Sequence, residues 1–540
     1  MIEAFWIPLL PPYLIGLVLS FAVEALLTPR PVAPWRRPVA AVGVHVGVWT
    51  LAFALELMLF RRPYFAVANV LAIELLIVLV SNAKYQALRE PFVYPDFEYF
   101  LDAVKHPRLY LPFFGVWRAM LSGGGYGVAL WVGLSLEDSV TAGAGVWFVS
   151  FADLPQEHMF DPIAPAGLFF LHSVGLALLG LALTKVAVVC PDAPVDASAD
   201  LRRMGLFAAL WNYFQLERRP TAGLKQLAPF NIVSKPLQRL SVIPDLVVVQ
   251  SESFFDVRRA YPQVGRGLLA NFDQLKSESV MHGQLSVAAW GANTVRTEFS
   301  FLSGMSAAAL GVHQYNPYRR LATGGFPTVA SYLKSLGYRT VCIHPYYGGF
   351  YRRDKILPLL GFEEFLDISH FAGDLLDGQY IGDRALTDRV VALLGKSGNR
   401  PLYLHVITME NHGPLHWESV DKGDERELMT QPLPGGCDEL LAYCRHLGNA
   451  DAMFGALRRY LLDRSRPAGL CIFGDHVPIM PGVYKQLGAV DGTTDYLIWH
   501  SRGGQEANEV PLSSAALSGA FLEALELWSP MPIAAKGKLK

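Results

Sequence analysis

Several short stretches from Pro244 onward have the residue types and spacing for chemistry on a charged substrate. Glu252 lies in the stretch Pro244–Asp256, where the β-branched run Leu246–Val249 gives way to Ser251-Glu252-Ser253. A run of that kind, bounded by polar residues, predicts a strand buried on both faces. Asp475 and His476 follow Leu470-Cys471-Ile472-Phe473 and Gly474. A carboxylate and an imidazole at adjacent strand-end positions can both turn towards one cation. Glu410-Asn411-His412-Gly413-Pro414 follows Tyr403–Ile407, and a further cluster runs from His344 through Tyr351 to Arg353 and Asp354. Any one of these is, on its own, an ordinary solvated loop. Polar clusters behind successive apolar strands are what an open α/β sheet gathers at its carboxyl edge.

A nucleophile is the remaining requirement. Thr294 precedes Glu298-Phe299 and Phe301-Leu302, which begin a helical pattern. A hydroxyl there meets the positive end of the helix dipole, and helix N–H groups can hold phosphate oxygens. The competing reading of the same residue is a plain N-cap. Thr297 and Ser300 are neighbouring hydroxyls on the same pattern.

The elements that must position these groups follow from the apolar periodicity. Strands are expected at Leu246–Val249, Gly283–Ala288, Tyr338–His344, Leu402–Thr408, Gly469–Phe473 and Asp495–His500. Helices are expected at Gly267–Lys276, Phe326–Leu336, Asp383–Lys396, Asp438–Leu462 and Ser513–Leu527. Alternation of the two predicts a mostly parallel sheet covered on both faces.

The amino-terminal third is different. Of the 540 residues, 52% are hydrophobic and only 17% charged. The mean hydropathy of +0.26 points to an integral membrane protein. The net charge of -2 argues against nucleic acid as a bulk partner. Apolar runs at Phe5–Leu27, Val39–Phe60, Tyr64–Val80, Leu109–Leu136 and Ala164–Val189 are near spanning length. Glu24, Glu56, Glu74 and Arg118 lie within them and are expected to face a bundle interior or a polar cavity, or, near a helix end, to snorkel. Leu201–Leu216 reads as one basic-flanked amphipathic helix, suited to a lipid interface or to packing on the next domain. Residues 1–190 are thus expected to be a helical membrane domain of about five spans. Residues 191–243 form a linker, 244–529 the α/β domain and 530–540 a basic tail. Five cysteines leave at least one unpaired, and no disulfide between Cys437 and Cys444 is expected.

Taken together, Pro244–Asp256, Gly291–Gly304, His344–Phe362, Met409–Pro414 and Phe473–Pro478 resemble the lipoteichoic acid synthase family. These are membrane-anchored phosphoglycerol transferases of the alkaline phosphatase and sulfatase superfamily. The resemblance implies an α-helical bundle followed by a sulfatase-type α/β domain. It implies that Glu252, Asp475 and His476 bind a divalent metal together with Thr294, the nucleophile. Manganese is the expected ion, with magnesium and zinc as alternatives. Arg353 and His412 match positions that contact phosphoglycerol, and Tyr351 and His344 belong to the same substrate loop. The implied donor is phosphatidylglycerol. The acceptor is an envelope glycan, a glycolipid or a glycerol-phosphate polymer. The absence of a Cys-x-Pro/Ser-x-Arg pattern excludes the formylglycine nucleophile of the usual sulfatases. Within the class, a phosphoethanolamine transferase or a phosphodiesterase is the rival reading. A transporter or scaffold with a degenerate enzyme domain is the reading from another class. The implied location is the cytoplasmic membrane, with the catalytic domain outside it. A count of basic residues on the loops, by contrast, puts that domain inside.

Overall fold

The computed structural model describes residues 2–98, 115–140, 165–187, 195–231, 242–371, 373, 376–396, 398–503 and 506–529. The expected basic tail lies outside these residues. So do residues 109–114, 164 and 188–189 of the expected apolar runs. The chain divides into two compact units, Met1–Arg219 and Pro220–Lys540.

In the first unit, the apolar runs form long helices: α1 (Ile2–Glu24), α2 (Val39–Phe60), α3 (Pro63–Leu88), α4 (Val116–Leu136) and α5 (Pro165–Val186). Val39–Phe60, Pro63–Leu88 and Phe169–Val186 are long and apolar enough to cross a membrane. Glu24 and Glu74 are buried. Glu24 pairs with Arg37 at 2.5 Å and accepts the backbone N–H of Leu206 at 2.7 Å. Glu56 accepts from Asn69 Nδ2 at 2.8 Å. The side chain of Arg118 is outside the description. The single helix expected over Leu201–Leu216 is two, α6 (Ala197–Met204) and α7 (Leu206–Glu217). Gly205 between them has φ +83, and a Cβ there would sit 2.0 Å from Arg37 Nη1. A left-handed turn tight against a guanidinium admits only glycine. Leu201, Leu206 and Phe207 pack with Trp49 and Phe53 of α2, so this pair belongs to the helical unit.

The second unit is an α/β domain. Its main strands are β1 (Asp245–Ser251), β2 (Met281–Ser286), β3 (Arg339–Ile343), β4 (Glu364–Leu366), β5 (Leu402–Ile407), β6 (Ala468–Gly474) and β7 (Thr494–His500). Their order across the sheet is β2-β7-β6-β1-β5-β3-β4, with short edge strands beside β2. The run from β6 to β4 is parallel, and β7 is antiparallel to both of its neighbours. The six strands expected from sequence are all present. Among the main strands β4, three residues long and carrying no apolar run, is the addition.

β1 shows why the sheet is central. Each of its residues is buried. Val247 and Val249 enter one core cluster, while Leu246 and Val248 enter the other. Alternate side chains point to opposite faces, so a strand covered by helices on both sides must be apolar throughout. The described cysteines Cys342, Cys437, Cys444 and Cys471 are buried and unpaired, as expected for small apolar fillers.

Candidate active site

Strand register builds the site. Ser251 of β1 lies opposite Gly474 of β6, so Glu252 and Asp475 leave the sheet side by side. Gln250 lies opposite Ile407 of β5, and Thr408 Oγ1 beyond it accepts the Glu252 N–H at 2.9 Å. Gly474 is required by close approach: a Cβ there would sit 1.8 Å from the Phe254 carbonyl oxygen. The glycine lets the two strand-end turns cross in contact.

Glu252, Asp475 and His476 come together with ligand atoms within 4.8 Å of one another, all buried. His476 Nε2 is 3.4 Å from Glu252 Oε1 and 3.6 Å from Asp475 Oδ2. Ser253 orients two of the three. Its N–H donates to Asp475 Oδ1 at 2.9 Å and its hydroxyl to Glu252 Oε1 at 3.0 Å. Asp475 Oδ2 is buried with no hydrogen-bond partner. Burial, then the Glu252 charge, pushes the Asp475 carboxyl up to about 7. Two buried carboxylates facing one imidazole, one oxygen orphaned, are under-neutralised, and a bound cation would satisfy them. The donor set of carboxylates and imidazole suits manganese, zinc or magnesium.

Thr294 is the first residue of α8 (Thr294–Ser303), and its Oγ1 lies 3.5 Å from His476 Nε2. The N-cap of α8 is Asn293, so Thr294 is not the cap that a sequence reading also allowed. Its neighbours differ from it. Thr297 donates to the Asp475 carbonyl at 2.8 Å, and Ser300 to the Met305 carbonyl at 3.1 Å. Only Thr294, of these three, has its hydroxyl on the metal-type cluster.

The remaining expected site residues form a second group. Arg353 is buried, its Nη2 2.7 Å from Glu298 Oε2 and its Nε 3.4 Å from Glu298 Oε1. Its Nη1 is 3.3 Å from His344 Nε2. In this arrangement the Arg353 fork faces Glu298. Burial opposes ionisation of Glu298, and the Arg353 charge overcomes it and holds the carboxyl below the usual range. Burial and the same guanidinium push His344 well below the usual imidazole range. His344 is therefore neutral, donating from Nδ1 to the Ile407 carbonyl at 3.1 Å and accepting at Nε2. Tyr351 lies beneath the Arg353 guanidinium, 5.3 Å from its ring centroid. His412 Nδ1 is 2.7 Å from the Gly413 carbonyl and 3.4 Å from Tyr380 Oη. Glu298 and Tyr380 were not singled out by sequence. Glu298 sits at helical spacing from Thr294, but its ion-pair partner is distant in the chain.

Four of the described non-glycine residues with positive φ fall at the site, while Arg61, Arg89 and Glu526 lie elsewhere. Ser253, Asn293, Tyr351 and Arg352 have φ of 54, 64, 54 and 56. Ser253, Asn293 and Arg352 adjoin Glu252, Thr294 and Arg353, and Tyr351 is itself an expected site residue. Left-handed non-glycine residues cost energy and persist where the surroundings over-determine them.

A family model described as Sulfatase matches residues 244–527. The chain is 27% identical over 470 residues to the capsular polysaccharide biosynthesis protein RkpI of Rhizobium meliloti, covering 84% of this chain and 80% of that protein. It is 28% identical over 171 residues to lipoteichoic acid synthase 1 of Bacillus subtilis, covering 30% of this chain and 25% of that one. The integral membrane protein lipooligosaccharide phosphoethanolamine transferase A (EptA) from Neisseria meningitidis shares the fold. It matches with TM-score 0.51 at 14% identity over 89% of this chain and 87% of its own. With its family match spanning more than half of the sequence, the chain belongs to the sulfatase family, within the alkaline phosphatase superfamily.

Proposed function

We propose that this protein transfers phosphoglycerol from phosphatidylglycerol to a hydroxyl of an envelope acceptor, through a covalent intermediate on Thr294. The observation that carries the reading is the Thr294 hydroxyl, 3.5 Å from His476 Nε2, at the edge of the buried Glu252–Asp475–His476 cluster. The similarity to lipoteichoic acid synthase 1 supports the donor headgroup. The similarity to RkpI supports an envelope glycan or glycolipid as acceptor, with a glycerol-phosphate polymer as the alternative.

Glu252, Asp475 and His476, with Thr294, would hold one divalent ion. Such an ion supplies a Lewis acid that stabilises the threonine alkoxide at neutral pH. Thr294 attacks phosphorus, a threonine Oγ–P bond forms, and the P–O bond to diacylglycerol breaks. The acceptor oxygen then displaces Thr294, so one difficult transfer becomes two easier ones. Thr294 opens α8, and the positive end of that helix favours the phosphoryl oxygens. His412 protonates the leaving oxygen in the first step and deprotonates the acceptor in the second. Neutral His344 and the Glu298–Arg353 pair hold the loop with Tyr351 against the substrate. The apolar helices keep the domain beside a lipid donor, on the extracytoplasmic side where an envelope acceptor is met.

The test is intact-mass spectrometry of full-length protein incubated with metal and phosphatidylglycerol. A phosphoglycerol adduct on Thr294 is expected. An adduct formed only from phosphatidylethanolamine would move the enzyme to phosphoethanolamine transfer, and diacylglycerol release without any adduct would make it a phosphodiesterase without a covalent step.

A further inference from the structure

The segment that carries His412 begins at Glu410 and closes at Glu418, and both carboxylates are bound by one imidazole. His446 lies on α9 (Asp438–Leu462). Its Nδ1 is 2.7 Å from Glu410 Oε1 and its Nε2 is 2.7 Å from Glu418 Oε2. The ring and both carboxylates are sealed from solvent. A neutral imidazole offers one donor and one acceptor, whereas two carboxylate partners call for two donors. The ring is therefore an imidazolium. Burial by itself would lower its pKa, but the hydrogen bonds to Glu410 and Glu418 push it up to about 9.

Groups outside the segment complete the grip. The Asp383 N–H donates to Glu410 Oε2 at 2.5 Å, and Asn449 Nδ2 to Glu410 Oε1 at 2.6 Å. Arg445 Nη2 donates to Glu418 Oε2 at 2.6 Å. Between the two gripped ends, Gln379 Nε2 donates to the Pro414 carbonyl at 3.3 Å, and Tyr380 Oη to the Gly413 carbonyl at 3.3 Å. His412 thus sits in a span fixed at both ends by one ring and touched in the middle by Gln379 and Tyr380.

We infer that His446 is a positioning residue for His412: by bonding Glu410 and Glu418 at once, it closes the intervening chain into a bracket that sets the place of the His412 ring. The inference rests on the reading of His412 as the acid–base group. An acid–base group must sit within hydrogen-bond reach of its proton, and a misplacement of about 1 Å costs on the order of 100-fold in rate. An ion pair that merely anchored α9 would have no need to bond both ends of a segment that holds a reacting side chain.

The experiment uses the full chain in detergent, with His446→Gln and Glu418→Gln. Hydrogen exchange over 409–418 is read first, because it needs no substrate. It is expected to rise about ten-fold in either variant while β1 and β6 keep their protection. Unchanged exchange overturns the bracket, whatever the enzyme acts on. Diacylglycerol release from phosphatidylglycerol vesicles is read second. His446→Gln is expected to lower kcat by about 10–100-fold with KM nearly unchanged, and adding it to His412→Asn should cost nothing further. Losses that multiply in the double variant would show that His446 acts independently of His412, and would overturn the inference. If His446→Gln fails to fold, Glu418→Gln retains the ring and its Glu410 contact and carries both measurements. If wild-type protein releases no diacylglycerol, the phosphoglycerol reading fails while the exchange result still decides the bracket.

Discussion

Arg353 and Glu298 form an ion pair at 2.7 Å, with side chains 2% and 0% exposed. Tyr318 donates to the same carboxylate. Breaking a buried pair leaves one charge uncompensated, which costs far more than the pair is worth. Arg353→Ala is expected to destabilise the second unit by about 3–5 kcal/mol. Arg353→Ala with Glu298→Ala should recover part of that loss. Thermal unfolding of the purified variants measures both. A stable Arg353→Ala with a raised KM would instead return Arg353 to direct phosphate binding.

Asp475→Ala and His476→Ala are expected to lose bound metal while the protein still folds. Both residues lie beyond the end of β6, and neither side chain belongs to the apolar clusters on the two faces of the sheet. Elemental analysis checks the metal, and circular dichroism checks the fold. Full occupancy in both variants would remove these residues from the site.

Thr294→Ala should retain most of the metal, since Glu252, Asp475 and His476 remain, yet form no adduct. Thr297→Ala should form the adduct but lose about 1–2 kcal/mol of stability, because its hydroxyl bonds the Asp475 carbonyl in the interior. Ser300→Ala should also form it. Intact mass and unfolding temperature separate the three variants. An adduct that persists in Thr294→Ala would refute the nucleophile.

Against the effect of burial, the hydrogen bonds to Glu410 and Glu418 push the His446 imidazole up to about 9, with Arg445 and Asn449 behind the carboxylates. An unfolded histidine titrates near 6.5. A base whose pKa rises on folding adds stability that is complete below the unfolded value and is lost as the pH climbs through the folded one. Wild-type protein should therefore hold a contribution of about 3 kcal/mol at pH 6 that has gone once the pH passes about 9. His446→Gln should lack this step. Unfolding temperatures across that range, compared between the two proteins, give the answer; parallel curves would remove the linkage.

The local chemistry was legible in the chain itself. A β-branched run with no polar break, as in Leu246–Val249, can be stable only between two apolar layers, so the strand and its burial on both faces follow from composition. Asp438–Leu462 is a helix over the same residues that its periodicity predicts. Polar residues directly after apolar strands had to lie at the carboxyl edge of the sheet, which located Glu252, His412, Asp475 and His476. Strand order and register are different, because they join residues far apart in sequence. Only the pairing of Ser251 with Gly474 decides that Glu252 meets Asp475. Only the tertiary structure turns Arg353 onto Glu298, 55 residues away, and sets His446 between Glu410 and Glu418. A buried charge has to find its counter-charge in space, and nothing in the spacing of the chain records which one it finds. The break at Gly205 was missed for a related reason. The apolar face of Leu201–Leu216 continues through it, while the turn is imposed by Arg37 packing against the glycine.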